Sequence, residues 1–448
     1  MRTAAVLAAS GLLLFLSASP AQAHGIGGRS DLPVPLSYFI VGAALVLVFT
    51  FVLLAVLWVE PRLQDGPRRT VLGWSWAKPV FGLLQAFGVI GLVLVIAAGL
   101  FGTPAGSRNI APVLVWVYFW LVIPFLSVAF GNLWAAVNPW RTLGNVTLTE
   151  RDDRDIGSRV GVLPAVVAFI AFTWLELVYP QSSLPLALAI AALVYTAYLG
   201  AAMAWVGPTP GLRAADAFTS YNRYLSSIAP FGLSEGQVIW RGWLRALPVL
   251  PAWRGATLFV VAMIGTVTYD GLSATPLWRE TFGSLASNVW FGTFALVASV
   301  AVIAGAYWAA SALASYLSAD PASQARVVAR RFAHSLVPIA FAYAFAHYFT
   351  LVIFEGQILI AVASDPFGQG WDLFGTADYR IEFGLISPNA VWLLQVAAIV
   401  GGHVAGVVLA HDRALADFPA RTAVRTQYAM LGLMVLLTSL GLAILAAG

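Results

Sequence analysis

The sequence predicts an all-α protein: a polytopic transmembrane helix bundle of about ten spans, built as one domain. Three observations carry that prediction. Of the 448 residues, 60% are hydrophobic and 10% charged, whereas an ordinary soluble domain is about 25% charged. Apolar stretches of the roughly 20-residue length that a bilayer demands recur along the chain. The basic residues are confined to alternate connections, as the positive-inside rule requires. So few charges could not cover a water-facing surface of this size, which excludes a soluble enzyme, a nucleic-acid reader and a disordered scaffold. The partner implied is the lipid bilayer. The net charge of +4 matters less than where the basic residues fall.

Residues 1–23 read as a secretory signal peptide. Arg2 precedes an apolar run over 4–16, and Ala21-Gln22-Ala23 supplies a small-x-small cleavage signal. Cleavage there starts the mature chain at His24, outside the cytoplasm; an uncleaved anchor is the alternative. The remainder, 24–448, is a single membrane domain. Its spans fall near 36–59, 80–101, 112–137, 162–180, 185–206, 255–275, 286–311, 333–363, 388–410 and 427–447. The eighth is long enough to tilt, to bend at Pro338 or to break near Gly356. With His24 outside, the inner connections are 60–79, 138–161, 207–254, 312–332 and 411–426. They hold 19 of the 24 Lys and Arg residues, and the outer segments hold four.

The longest inner connection, 207–254, carries Phe218, Tyr221, Tyr224, Leu225 and Ile228 at helical spacing. That pattern predicts a helix lying on the inner membrane surface. The outer segment 364–387 sets Asp365, Asp372, Asp378 and Glu382 against Arg380, as a lid over an outward cavity or as a solvated loop. Trp58, Trp74, Trp76, Trp134, Trp140 and Trp278 lie near span ends and read as interfacial anchors. The 40 glycines are mostly spread through the spans, where they let helices approach closely.

Ionisable groups inside the spans are the informative ones, since each costs about 2.5–3.5 kcal/mol on insertion scales. Glu176 falls in the outer third of the fourth span and Asp270 towards the outer end of the sixth. His347 sits near the middle of the eighth, with Glu355 nearer its outer mouth. His403 lies in the ninth, closer to the cytoplasm, and His411 marks the cytoplasmic rim. Helix geometry separates His347 from Glu355 by about 12 Å of rise and about 80° of rotation, too far to share one ion directly. Tyr343 shares the face of His347. One reading is an outward-opening polar cavity lined by Glu176, Asp270, His347 and Glu355. Such a cavity could hold a divalent metal on Asp270 and His347, zinc for instance, whose bound water becomes a nucleophile. The same groups could relay protons in a transporter. A third reading has each group satisfied separately by its neighbours.

His24 as a mature N-terminus offers an α-amine and an imidazole, a bidentate copper ligand, with His347 the second histidine at suitable depth. The alternative is a polar start to a flexible Gly25-Ile26-Gly27-Gly28 leader. The chain has no cysteine, hence no disulfide or thiolate metal site. It has no HExxH, Walker or Rossmann motif.

Several stretches carry a family resemblance. They are His24-Gly25-Ile26-Gly27-Gly28-Arg29-Ser30-Asp31-Leu32-Pro33, then Gly131-Asn132-Leu133-Trp134 with Asn138-Pro139-Trp140-Arg141, and Tyr269-Asp270-Gly271-Leu272-Ser273-Ala274-Thr275-Pro276. Ser335-Leu336-Val337-Pro338-Ile339-Ala340 leading to His347-Tyr348 follows, and last Gly402-His403-Val404 with His411-Asp412-Arg413. In these the chain resembles the bacterial multi-pass proteins named fenitrothion hydrolase. The resemblance implies a bacterial plasma-membrane location and hydrolysis of an organophosphate triester, a lipophilic small molecule arriving from the bilayer. It carries no catalytic motif with it. That chemistry needs an activated water and stabilisation of charge on the phosphoryl oxygen. The reading is therefore a metal-dependent hydrolase of lipophilic phosphoesters, using Asp270 and His347 with Glu176 and Glu355. The alternatives are a proton-coupled transporter or permease, and a membrane subunit or assembly factor that docks a partner through its outer loops.

Overall fold

Inside lipid every backbone N–H and C=O must be satisfied within its own segment, so apolar runs of this length become helices whatever their β-branched content. The computed structural model describes residues 35–64, 69–72, 74–149, 159–234, 237–318 and 324–447. The expected signal peptide and His24 lie outside the described residues. Among those described, nine helices are long and apolar enough to cross a membrane. This is an all-α, multi-pass membrane protein.

The helices run in order as α1 (Leu36–Leu57), α2 (Trp74–Phe101), α3 (Ile110–Phe130) and the short α4 (Pro139–Thr147). Then come α5 (Leu163–Leu177), α6 (Pro185–Val206), and the short pair α7 (Pro208–Ala215) and α8 (Ala217–Ser226). The second half contains α9 (Ala256–Ala274), α10 (Val289–Ser318), α11 (Ala325–Phe332), α12 (Val337–Phe354), α13 (Ile358–Ser364), α14 (Pro388–Asp417) and α15 (Tyr428–Ala447).

Differences from the sequence reading have local causes. The third span ends at Phe130 and not at 137, because Gly131 takes φ +94° and turns the chain away. The fourth, α5, has 15 residues, about 22 Å of rise, short of the roughly 30 Å apolar core of a bilayer. The seventh and ninth run on to Ser318 and Asp417. The eighth is composite, with 3-10 turns at Ala333–Leu336 and Glu355–Gln357 on either side of α12. Pro338 opens α12, where its missing N–H costs no hydrogen bond, and the break near Gly356 is present. Part of α3, Val113–Val122, is wound as a π-helix.

Two connections placed on the same side by their charge are tied by a small antiparallel sheet that the sequence reading did not anticipate. Its strands are β1 (Arg69–Leu72), β2 (Phe231–Ser234) and β3 (Gln237–Trp240), in the order β1-β3-β2, with Trp240 opposite both Arg69 and Phe231.

Two expectations are corrected. The helix expected on the inner surface, α8, is enclosed: Phe218, Tyr221, Asn222, Tyr224 and Leu225 are all buried, against α3, α5 and α12. Its aromatic side chains stack into a cluster with Phe119, Trp120, Phe169 and Phe172, so neither face is left for a headgroup layer. Trp134 and Trp140 are core residues, not interfacial anchors. Their indoles are buried and donate to Asp216 Oδ2 (3.3 Å) and Thr196 Oγ1 (2.9 Å).

The centre of the bundle is α9, buried over nearly its whole length and flanked by α5, α10 and α12. Behind α12 stands α14. A side chain at Gly402 would meet Pro338 O at 2.7 Å, and one at Gly406 would meet Ser335 O at 2.9 Å. This small-xxx-small face on α14 seats α12 closely and so fixes where His347 points.

Candidate functional site

Asp270 lies one turn from the C-terminal end of α9 and is 2% exposed. His347 and Tyr348, adjacent on α12, both reach it. His347 Nε2 faces Asp270 Oδ2 at 2.8 Å, and the Tyr348 hydroxyl donates to the same oxygen at 2.5 Å. Residues i and i+1 point about 100° apart on a helix, so Asp270 sits over the groove between them. The imidazole and phenol rings meet edge to face at 4.7 Å. An ionised carboxylate accepts from the phenol, and from the imidazole when Nε2 carries its proton; in the Nδ1–H tautomer Nε2 instead accepts from a protonated Asp270.

Glu176, one residue from the end of α5, completes the centre from the other side. Its carboxyl lies close enough to Asp270, Tyr221 and Tyr348 to interact electrostatically with each. Its Oε2 is buried and has no hydrogen-bond partner among the described residues. The Trp120 indole N–H lies beside that carboxyl but is not in hydrogen-bonding geometry. Trp120, from the π-wound part of α3, stacks on Tyr221 of α8 at 4.9 Å and 28°. An extra residue per turn in a helix is a feature enriched at functional sites; here it lies along the wall facing Glu176.

The sequence reading put Glu176, Asp270, His347 and Glu355 around one cavity. The structure brings the first three together. Glu355 heads the 3-10 turn after α12, about 12 Å of helix rise from His347, and does not join them. The cavity that His347 lines is walled by Val267, Thr268, Gly271, Tyr343 and Ile399 and measures about 20 Å3, room for a single water. It is not the outward polar cavity expected, since Glu176, Asp270 and Glu355 are not among its walls. Tyr343 does share the face of His347, but its hydroxyl donates to Leu437 O on α15.

His403 stands apart: its Nδ1 donates to Ile399 O at 2.8 Å and its ring packs edge-on against Tyr343. His411 is a buried clamp at the end of α1, with Nδ1 facing Gln427 Oε1 (2.9 Å) and Nε2 facing Trp58 O (2.8 Å).

As a donor set for a metal, Asp270 and His347 make a pair. Among the described residues no group of three His, Cys, Asp or Glu side chains could hold an ion, so the pair supplies fewer protein ligands than the three or four of a zinc site. His24, the other metal candidate, lies outside the described residues.

Sequence reasoning missed Tyr348, Tyr221 and Trp120. Tyr348 directly follows His347, and a search by shared helix faces passes over an i, i+1 pair. No protein-family model, no curated protein and no solved structure matches this chain.

Proposed function

We propose that this multi-pass membrane protein is a proton-coupled transporter or permease in which Glu176, Tyr348, Asp270 and His347 form an intramembrane proton relay. The observation that carries the reading is the sharing of Asp270 Oδ2 between an imidazole at 2.8 Å and a phenol at 2.5 Å, beside a second carboxyl with an unpartnered oxygen. Intramembrane carboxylates paired with histidine are the usual parts of proton relays. A proton held on Glu176 passes towards Asp270 as Tyr348 gives its hydroxyl proton to Asp270 Oδ2 and recovers one from Glu176. Asp270 then hands it to the Nε2 lone pair of His347, which borders the water-sized cavity.

Infrared difference spectra between acid and alkaline buffer, on the reconstituted protein, test the relay. A carboxyl band that titrates in wild type should vanish in part in Asp270→Asn and in part in Glu176→Gln, and shift in Tyr348→Phe. A spectrum that none of these substitutions alters rules the relay out.

The second reading is the phosphoester hydrolase implied by the family resemblance, in a bacterial plasma membrane. What favours it is that Asp270 and His347, chosen as ligands from depth alone, meet. Cleavage of a chromogenic lipophilic phosphotriester that fails after chelation, and in His347→Ala, would support it. Full activity in metal-stripped protein would exclude the metal mechanism.

A further inference from the structure

A second cavity, about 180 Å3, opens at the other end of α9. Ala256 and Val260 form part of its wall, and Asp270 lies 10 to 14 residues further along, about 15–21 Å away. The lining is basic: Arg330 and Arg331 from α11, His334 from the 3-10 turn after it, and Arg413 from α14. Two carboxylates answer three guanidinium groups: Arg331 Nη1 and Arg413 Nη1 lie 3.3 Å and 3.9 Å from Asp417 Oδ1, and Asp412 also acts on Arg413. Arg213 and Arg223, stacked on Trp253 beside the lining residues Pro251 and Ala252, add to the positive field.

Among the described residues, two buried polar atoms of the lining have no hydrogen-bond partner, Arg413 Nε and His334 Nε2, and Asp417 Oδ2 next to them has none either. His334 is 8% exposed, and its Nδ1 lies 2.8 Å from Arg331 O, so Nδ1 carries the proton. Nε2 is then free to accept a hydrogen bond. A buried unmade hydrogen bond costs about 1–3 kcal/mol, and an excess of guanidinium charge around an enclosed volume raises the concentration of anions there. Guanidinium forks match the geometry of phosphate oxygens.

The geometry points to a binding site for a phosphate-type oxyanion in this cavity, independent of the Asp270 centre. Arg330, Arg331 and Arg413 hold the charged oxygens, and His334 Nε2 accepts the hydrogen of a P–OH or of a hydroxyl beside the phosphate. The same chemistry belongs to a free phosphate compound and to the headgroup of an anionic lipid.

Two arms separate those sources in the full-length protein. The first is equilibrium dialysis of inorganic phosphate against protein in an uncharged detergent. The second is reconstitution into phosphatidylcholine vesicles containing phosphatidylglycerol, followed by re-extraction and mass spectrometry of the retained lipid. Saturable phosphate binding, at least tenfold weaker in Arg330→Gln/Arg331→Gln and in His334→Gln, identifies a free oxyanion. Selective retention of phosphatidylglycerol, lost in the same variants, with no phosphate binding, identifies a headgroup. Arg331→Lys keeps the charge and the Asp417 pairing, and should bind within a few-fold of wild type where the glutamine variants do not. Binding in neither arm, or binding indifferent to all the variants, overturns the site.

Discussion

Asp216 and Asp270 are both buried carboxyl groups, 0% and 2% exposed, yet their surroundings differ in kind. Asp216 caps α8 by accepting from Phe218 N at 3.0 Å. It also accepts from Tyr195 Oη (2.8 Å), Asn138 Nδ2 (2.9 Å), Thr219 Oγ1 (2.6 Å) and Trp134 Nε1 (3.3 Å). These partners include no imidazole and no second carboxyl, the groups that exchange protons most readily near neutral pH. Asp216 acts as a staple joining α4, α6 and α8. Asp270 meets an imidazole, which can exchange a proton there, and has a second carboxyl nearby. Burial alone does not separate structure from function in this bundle; the titrability of the partners does.

The largest expected effect tests the staple. Asp216→Ala strands five donors, and breaking a buried charged network of that type costs about 3–5 kcal/mol. Asp216→Asn should recover only part of this, since its amide nitrogen turns donors towards donors. Asp270→Asn should cost about 1 kcal/mol, because an amide oxygen still accepts from Tyr348. Thermal unfolding in one detergent measures all three. Equal losses for the two asparagine variants would abolish the distinction drawn here.

A second staple, Asp412 on α14, holds the chain after α1. It accepts from Arg62 N (2.5 Å), Leu63 N (3.1 Å), Gln64 Nε2 (2.8 Å) and Trp58 Nε1 (3.3 Å). Asp412→Ala should cost about 2–4 kcal/mol and raise amide exchange at Arg62 and Leu63. Unchanged exchange there would show that the segment is held by something else.

The membrane architecture was legible because helix formation in lipid depends on length and hydropathy, which one sequence displays. Span ends were less so: Gly131 stops α3 inside a continuous apolar run. The enclosure of α8 could not be read, because an aromatic face that suits a headgroup layer also suits a protein interior. The cap at Asp216, with Thr219 three residues on, is a local signal that could have been used. Of the four acidic and imidazole groups chosen by depth, three converge. Depth locates a group along the membrane normal, but helix rotation decides whether two groups meet. That rotation comes from contacts such as Gly402 on Pro338, which no periodicity reveals.

Glu176→Gln probes the far side of the centre. Its Oε2 has no hydrogen bond to lose, and removing an incompletely satisfied carboxyl from a buried site removes its desolvation cost. The variant should unfold at or slightly above the wild-type temperature while altering the infrared carboxyl band. A clear loss of stability would mean that Glu176 is a third staple and not a relay member.

Asp365, just past α13, gives the smallest effect and a different control. Its carboxylate accepts from Gln369 N (2.8 Å) and Gly370 N (2.7 Å). Partial burial pushes its pKa up, but the backbone N–H groups of residues 368–371 outweigh that and hold it below the ordinary 3.8. A carboxyl with a depressed folded value stabilises its turn fully above its unfolded pKa, and the contribution is lost as pH falls through the folded value. Amide exchange at Gln369 and Gly370, corrected for intrinsic rates, should therefore stay flat from neutral pH down to about 4, then rise on further acidification. In Asp365→Asn it should show no such rise. These donors are backbone groups with no proton to exchange on titration, so Asp365 should lose its turn without disturbing the carboxyl band of the Asp270 centre. A band that changes with Asp365→Asn would mean that the outer loop and the intramembrane centre titrate as one unit.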